Sequence, residues 1–192
     1  GGICQDLLTE AEKKYVSEGG LILSGKIQEA DVKNGNGRKY GEKILRREIE
    51  KYQDFISQNR ALGELDHPEA SVVNLANTSH VITEVWWNGN DLMGKLELLP
   101  TPSGNIAKAL VASGIPLGIS SRGMGSVKQL GETVEVQDDF ELLCWDFVST
   151  PSNPGSYMTL VREGVEKSTN DYSKVNSLLT EILCANGTCP IF

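Results

Sequence analysis

The chain has 192 residues, which suits one domain of ordinary size, and its 39% hydrophobic content supports a packed core. Its formal charge of −8 is spread along the sequence and excludes the basic, aromatic-laced stripe that direct nucleic-acid binding requires. No signal peptide and no long apolar run can be read, so no membrane span or membrane partner is expected.

In chain order, QDLLTEAEKKYVSEGG reads as a short, charged N-terminal helix stopped by Gly19–Gly20. GLILSGKIQEADV alternates and predicts a strand, and KNGNGRKYG, Lys33 to Gly41, is a loop of turn formers. From Glu42 to Ile56 the apolar residues fall at 44, 45, 49, 52, 55 and 56, the spacing of a helix with a polar opposite face. SQNRALGELDHPEAS carries His67 between Asp66 and Pro68, and the proline pushes the backbone before it toward extended geometry. HVITEVWWNG and DLMGKLELL predict two strands joined by a hairpin at Asn88 to Asp91. In TPSGNIAKALVASG, Ser103 is the expected cap of a short helix ending near Gly114. IPLGISS, VKQL, TVEV and FELLCWDFV follow as strands, with turns at Gly131 and at Asp138–Asp139. From about Val161 the sequence turns polar, and residues 161–192 are expected to form a flexible tail behind a single domain spanning 1–160. The expected fold is mixed α/β and mainly antiparallel, a sheet or barrel with two or three helices.

Four cysteines, Cys4, Cys144, Cys184 and Cys189, include no CxxC pair, and two histidines do not complete a zinc site. No metal or organic cofactor is expected. Cys184 and Cys189 stand close enough for a small disulfide loop, or for nothing.

GISSRGMGS, Gly118 to Ser126, places serines, an arginine and glycines directly after an apolar run. It is a turn, or it holds a nucleophile. A serine nucleophile needs a base and a group that orients the base. Only His67 and His80 qualify as histidine bases. His80 shares a strand face with Ile82, Glu84 and Trp86 and reads as a packed histidine, whereas His67 stands on a loop. On an extended strand Ser120 and Arg122 share one face and Ser121 takes the other. Asp146, inside LLCWDFV, is a carboxylate that needs a partner if buried, and Asp66 beside His67 competes with it. These residues permit a Ser120, His67, Asp146 triad without requiring it.

Six runs occur in one order: NGRKY (36–40), LGELDHP (62–68), SHVI (79–82), GKLELLPTPSG (94–104), LGISSRGMGS (117–126) and DFVSTPSNPG (146–155). Together, over Ile22 to Gly155, they resemble the prohead core proteases of T4-like tailed bacteriophages, a family similar to the herpesvirus assembly proteases. The resemblance implies a β-barrel core surrounded by helices and a serine endopeptidase that matures the procapsid. Its partners would be scaffold and capsid precursor proteins, its place the prohead core in the host cytoplasm. A homo-oligomer is compatible with it. The resemblance assigns the histidine to His67, the serine to Ser120 with Ser121 as a rival, and the acidic third member to Asp146. Arg122 and Gly123 resemble an oxyanion-supporting segment. A non-catalytic, scaffold-binding component of the prohead core is the alternative.

The family also implies cleavage after Glu in a pattern of Leu or Ile, any residue, then Glu. LLTE matches it at Leu7–Glu10 and again at Leu178–Glu181, which makes Glu10 and Glu181 candidates for self-cleavage. Internal matches at Ile27–Glu29, Leu62–Glu64, Ile82–Glu84 and Leu130–Glu132 are expected to be protected by folding.

Overall fold

The computed structural model describes residues 8–161. The elements are α1 (Glu10–Ser17), β1 (Ile22–Glu29), β2 (Arg38–Lys39), α2 (Glu42–Ser57), β3 (Leu62–Glu64), a 3-10 turn (Leu75–Asn77), β4 (Thr78–Asn88), β5 (Asp91–Leu98), α3 (Pro102–Ala112), β6 (Leu117–Met124), β7 (Val127–Leu130), β8 (Thr133–Val136), β9 (Glu141–Val148) and β10 (Tyr157–Leu160). Seven strands form one antiparallel sheet in the order β3-β4-β5-β1-β10-β6-β9. A bridge between Leu65 and Phe147 and a hydrogen bond from the Asp66 amide to the Phe147 carbonyl (3.0 Å) join the two ends, so the sheet is nearly a closed barrel. A small second sheet, β2-β8-β7, pairs β2 in parallel with β8.

The core is one cluster in which α2 contributes Ile44, Leu45, Ile49 and Tyr52. Trp145 on β9 is fully buried edge-on to Tyr52, ring centroids 4.8 Å apart. α2 also buries Glu48, whose carboxylate accepts the Leu142 amide (3.1 Å) and so pins the helix to β9. The hairpin between β4 and β5 turns at Gly89, φ +62°, as its sequence predicts.

Two helix starts differ from expectation. α1 begins at Glu10, because Thr9 caps it in a reciprocal capping box with Glu12. α3 is capped by Thr101, not Ser103: Pro102 fits the first helical position, and the Thr101 hydroxyl accepts the Gly104 amide (3.0 Å). The expected tail over 161–192 lies almost wholly outside the described residues, as do Cys4, Cys184 and Cys189.

Candidate active site

Of the expected site residues, Ser120, Ser121, Arg122, Gly123 and Asp146 lie on the strand pair β6–β9. Their antiparallel register sets Ser120 directly opposite Asp146, Ser121 opposite Trp145 and Arg122 opposite Cys144. Directly opposed side chains share a face, so Ser120, Asp146, Arg122 and Cys144 stand together. Ser121 is on the face of Trp145 instead. Neither Asp146 nor Ser120 would be placed this way by propensity alone; the flanking apolar residues Ile119, Trp145 and Phe147 fix the register by burying the opposite face.

His67 arrives from the other end of the barrel. Asp66 has φ +67°, a left-handed conformation that Asp tolerates better than most residues, and it turns the chain sharply out of β3. The Asp66 amide is held by Phe147, next to Asp146 in sequence. His67 Nδ1 then lies 3.0 Å from Asp146 Oδ2. Asp146 rather than Asp66 is the carboxylate that meets the ring.

Asp146 is fully buried and receives more than the histidine. Its Oδ1 accepts the Glu64 amide (3.0 Å), an Arg122 Nη2–H (3.2 Å) and the Cys144 thiol (3.3 Å). Burial alone would raise its pKa. The His67 hydrogen bond, the Glu64 amide and the Arg122 charge outweigh burial and hold the carboxyl below its ordinary value. Asp146 is therefore an anion at neutral pH and can only accept, so the proton between it and His67 belongs to Nδ1. Nε2 is left as the basic ring nitrogen.

Arg122, 5% exposed, serves this cluster. It donates to Glu64 Oε1 (2.7 Å), Asp146 Oδ1 and the Ala70 carbonyl (2.8 Å), with Nε 2.9 Å from Asp146 Oδ2. The donors expected to face an oxyanion are thus engaged behind the histidine. Gly123, the other residue of that segment, packs against Phe140 and Glu141. Buried Glu64 also accepts the Asn74 amide (2.9 Å). Arg122 and Glu64 together tether both ends of the loop that carries His67. Sequence reasoning missed this use of Arg122 and the part played by Glu64.

Two cavities flank His67. One, of about 340 Å³, is lined by Asn36, Arg38, His67, Ser120, Ser121 and Ser152 among others. The second, of about 220 Å³, adds Glu69, Arg122 and Gly123 and shares Arg38, Tyr40, His67 and Ser121 with the first. Ser120 Oγ lies 3.2 Å from Ser152 Oγ and makes no direct hydrogen bond to His67 among the described residues. Ser152 is a second residue that sequence reasoning missed; its only signal is its place in STPSNPG.

His80 is the packed histidine it was expected to be. Its Nε2 donates to the Trp145 carbonyl (3.1 Å), and its Nδ1 accepts from the Ser79 hydroxyl (2.8 Å). Burial pushes its pKa down to about 4. Burial, and then the Asp146 charge, push the Cys144 thiol up to about 12, which leaves it unreactive as a nucleophile at neutral pH. Among the described residues no group of three or more His, Cys, Asp or Glu side chains is arranged to hold a metal ion. Glu10 is exposed as the first residue of α1, and Glu181 lies outside the described residues. Of the internal Glu matches, Glu29, Glu64 and Glu84 lie in strands of the main sheet. Leu130–Glu132 forms the exposed turn between β7 and β8, so its only protection is the hairpin ladder.

Residues 4–169 match the family described as prohead core protein serine protease. The prohead core protein protease of Enterobacteria phage T4 is 34% identical over 146 residues, which are 73% of this chain and 68% of that protein. The solved structure of the bacteriophage T4 capsid assembly protease superposes with a TM-score of 0.63 at 30% identity, over 69% of this chain and 84% of that one.

Proposed function

Because the chain belongs to the prohead core protein serine protease family, we propose that its protease role in phage capsid maturation is carried out by Ser120, with His67 as base and Asp146 as orienting anion. The single observation that supports the reading is the buried, ionised Asp146 holding His67 Nδ1 at 3.0 Å from the position directly across the sheet from Ser120. In this mechanism Ser120 Oγ attacks the scissile carbonyl as His67 Nε2 takes its proton. The imidazolium, paired with Asp146, passes that proton to the leaving amine. Water then hydrolyses the acyl-enzyme by the same relay. The reaction uses no metal or organic cofactor.

The oxyanion needs donors, and Arg122 is committed elsewhere. The Ile119 amide donates to the Ser156 carbonyl, on the edge of β6 away from β9. Amides of a strand alternate between edges, so the Ser121 amide points to that same edge. Pairing with β10 there reaches only Leu117 and Gly118. We assign the oxyanion donor to the Ser121 N–H, which makes Ser121 a contributor through its backbone and not the nucleophile.

The substrates are capsid and scaffold precursors within the assembling prohead of the infected host, cut after Glu in a (Leu/Ile)-x-Glu pattern. Self-processing follows the same pattern at Glu10 and Glu181. The Glu10–Ala11 bond lies in the first turn of α1, which has to unwind before a protease can bind it extended. The test is intact mass of the purified wild type beside Ser120→Ala and His67→Ala, together with cleavage of a precursor peptide. Both variants are expected to stay folded and full length while peptidase activity falls at least ~10³-fold. Wild type is expected to lose residues 1–10, residues 182–192, or both. Full activity in folded Ser120→Ala sinks the nucleophile assignment. An active but untrimmed wild type sinks self-processing alone.

A further inference from the structure

The loop KNGNGRKYG holds an arginine in the cleft whose side chain makes no ion pair among the described residues. Arg38 lines both cavities beside His67. Its backbone is fixed: the Asn34 side chain accepts the Asn36 and Arg38 amides (both 3.0 Å), and the Asn34 amide donates to the Arg38 carbonyl (2.9 Å). Gly37 takes φ +74°, which closes this loop, and the Gly35 amide donates to the Ser152 carbonyl (2.7 Å). Ser152 in turn bonds Ser120 Oγ. A short run of contacts therefore ties the arginine's backbone to the serine.

The Arg38 side chain itself is uncommitted. Among the described residues its guanidinium makes no hydrogen bond and no ion pair. Neighbouring cations are engaged, Lys39 with Asp31 and Arg122 with Glu64 and Asp146. Among the described residues no acidic side chain lines the cavity that Ser120 shares, and Arg38 is the cation there. In a chain of net charge −8, an exposed arginine held on a braced loop, with no ion pair among the described residues and no acidic residue lining the cavity of Ser120, is suited to a ligand's carboxylate.

We propose that Arg38 is the specificity-determining residue that binds the carboxylate of the substrate side chain immediately before the scissile bond. This rests on the reading of Ser120 as the nucleophile. Arg38 does not touch the reacting atoms. It selects which residue lies over Ser120, and its removal erases the discrimination between an acidic residue and its amide.

The experiment uses the full chain and a main pair of probes, Leu-Leu-Thr followed by a diphenyl phosphonate analogue of Glu or of Gln, with a Lys analogue and a small fluorophosphonate as controls. Ser120 Oγ displaces phenoxide and remains bonded to phosphorus, so labelling is read by mass. Wild type is expected to label roughly 10- to 100-fold faster with the Glu probe, the worth of a charge-assisted contact. In Arg38→Gln the ratio of the two rates falls toward one, and in Arg38→Glu a Lys analogue overtakes the Glu probe. Arg38→Gln with the wild-type ratio overturns the proposal and leaves the peptidase reading standing. Equal labelling of wild type by the two probes overturns both Arg38 and the Glu preference. Absence of any label on wild type, including one from a small fluorophosphonate, overturns the nucleophile reading and this proposal with it. Because Arg38 is exposed, its variants are expected to keep the wild-type melting temperature, which separates lost selection from lost folding.

Discussion

The two adjacent serines stand on opposite faces of one strand, and the different roles proposed for them can be tested atom by atom. Ser120 opposes Asp146, whereas Ser121 opposes Trp145 and offers its amide at the open edge of β6. Removing the Ser121 hydroxyl by Ser121→Ala is therefore expected to retain most peptidase activity. Removing its N–H by Ser121→Pro is expected to cost ~10²- to 10³-fold in kcat with little change in KM, the loss typical of one oxyanion donor. The proline takes away an amide that points away from β9, so the β6–β9 ladder survives, and far-UV circular dichroism checks that it does. Equal activity in Ser121→Pro and Ser121→Ala would remove this amide from the mechanism. That His67 meets Asp146 and that Ser120 stands across from Asp146 agrees with the grouping the sequence permitted, a histidine before proline, a serine after an apolar run and a carboxylate inside one, while their roles came from the resemblance. Ser152 and the true contacts of Arg122 were not legible, since they depend on which loops meet across the barrel.

At the scale of elements, the loop after β3 is held by a buried ion network rather than by hydrophobic packing. Arg122 Nη1 binds Ala70 and Nη2 binds Glu64, while Glu64 binds the Asn74 amide. Two carboxylates, Glu64 and Asp146, share this one guanidinium. Arg122→Gln leaves both buried without a cation, and breaking such a network by one partner costs about 3–5 kcal/mol. Arg122→Lys keeps the charge and loses the planar fork. Its expected outcome is a folded protein whose amides over residues 66–77 exchange hydrogen faster, with kcat reduced more than KM is raised. Unchanged exchange in that loop would show that Arg122 does not place His67. The three helices and strands β1 and β4 to β9 were readable in the sequence, down to the hairpin at Gly89, whereas β2, β3 and β10, two to four residues each, were not. The left-handed Asp66 that aims the loop was not, because Asp takes either hand and the choice here goes with its amide's contact to Phe147, a residue distant in sequence.

At the scale of the whole molecule, the seam that closes the barrel encloses a buried histidine. His80 sits where β3, β4 and β9 meet. Its Nε2 donates to Trp145 on β9, and Gly63 on β3 passes so close that an added Cβ would lie 2.3 Å from Nε2. The neutral ring is satisfied on both nitrogens, since Nδ1 accepts from Ser79. A second proton would place a charge on a fully buried ring, and burial disfavours the charged form. Burial accordingly lowers the pKa from 6.5 to about 4. The unfolded chain then binds more protons than the folded one between those values, so stability rises with pH across that window. This contribution is complete above about pH 6.5 and is lost as pH falls toward 4, amounting to roughly 3 kcal/mol at ~1.4 kcal/mol per pH unit. Asp146 acts in the same sense at lower pH: its depressed pKa gives stability that is present above 3.8 and lost as the carboxyl protonates below it. The expected result is a urea midpoint for Ser120→Ala, chosen to avoid self-digestion, that is level above pH 7 and falls steadily from pH 6.5 to 4.5. Ring nitrogen shifts in NMR should report His80 neutral throughout the upper half of that range. A midpoint that stays level down to pH 5, or a His80 ring that protonates near pH 6.5, would mean that the barrel seam admits the charged ring, and that closure does not depend on its neutrality.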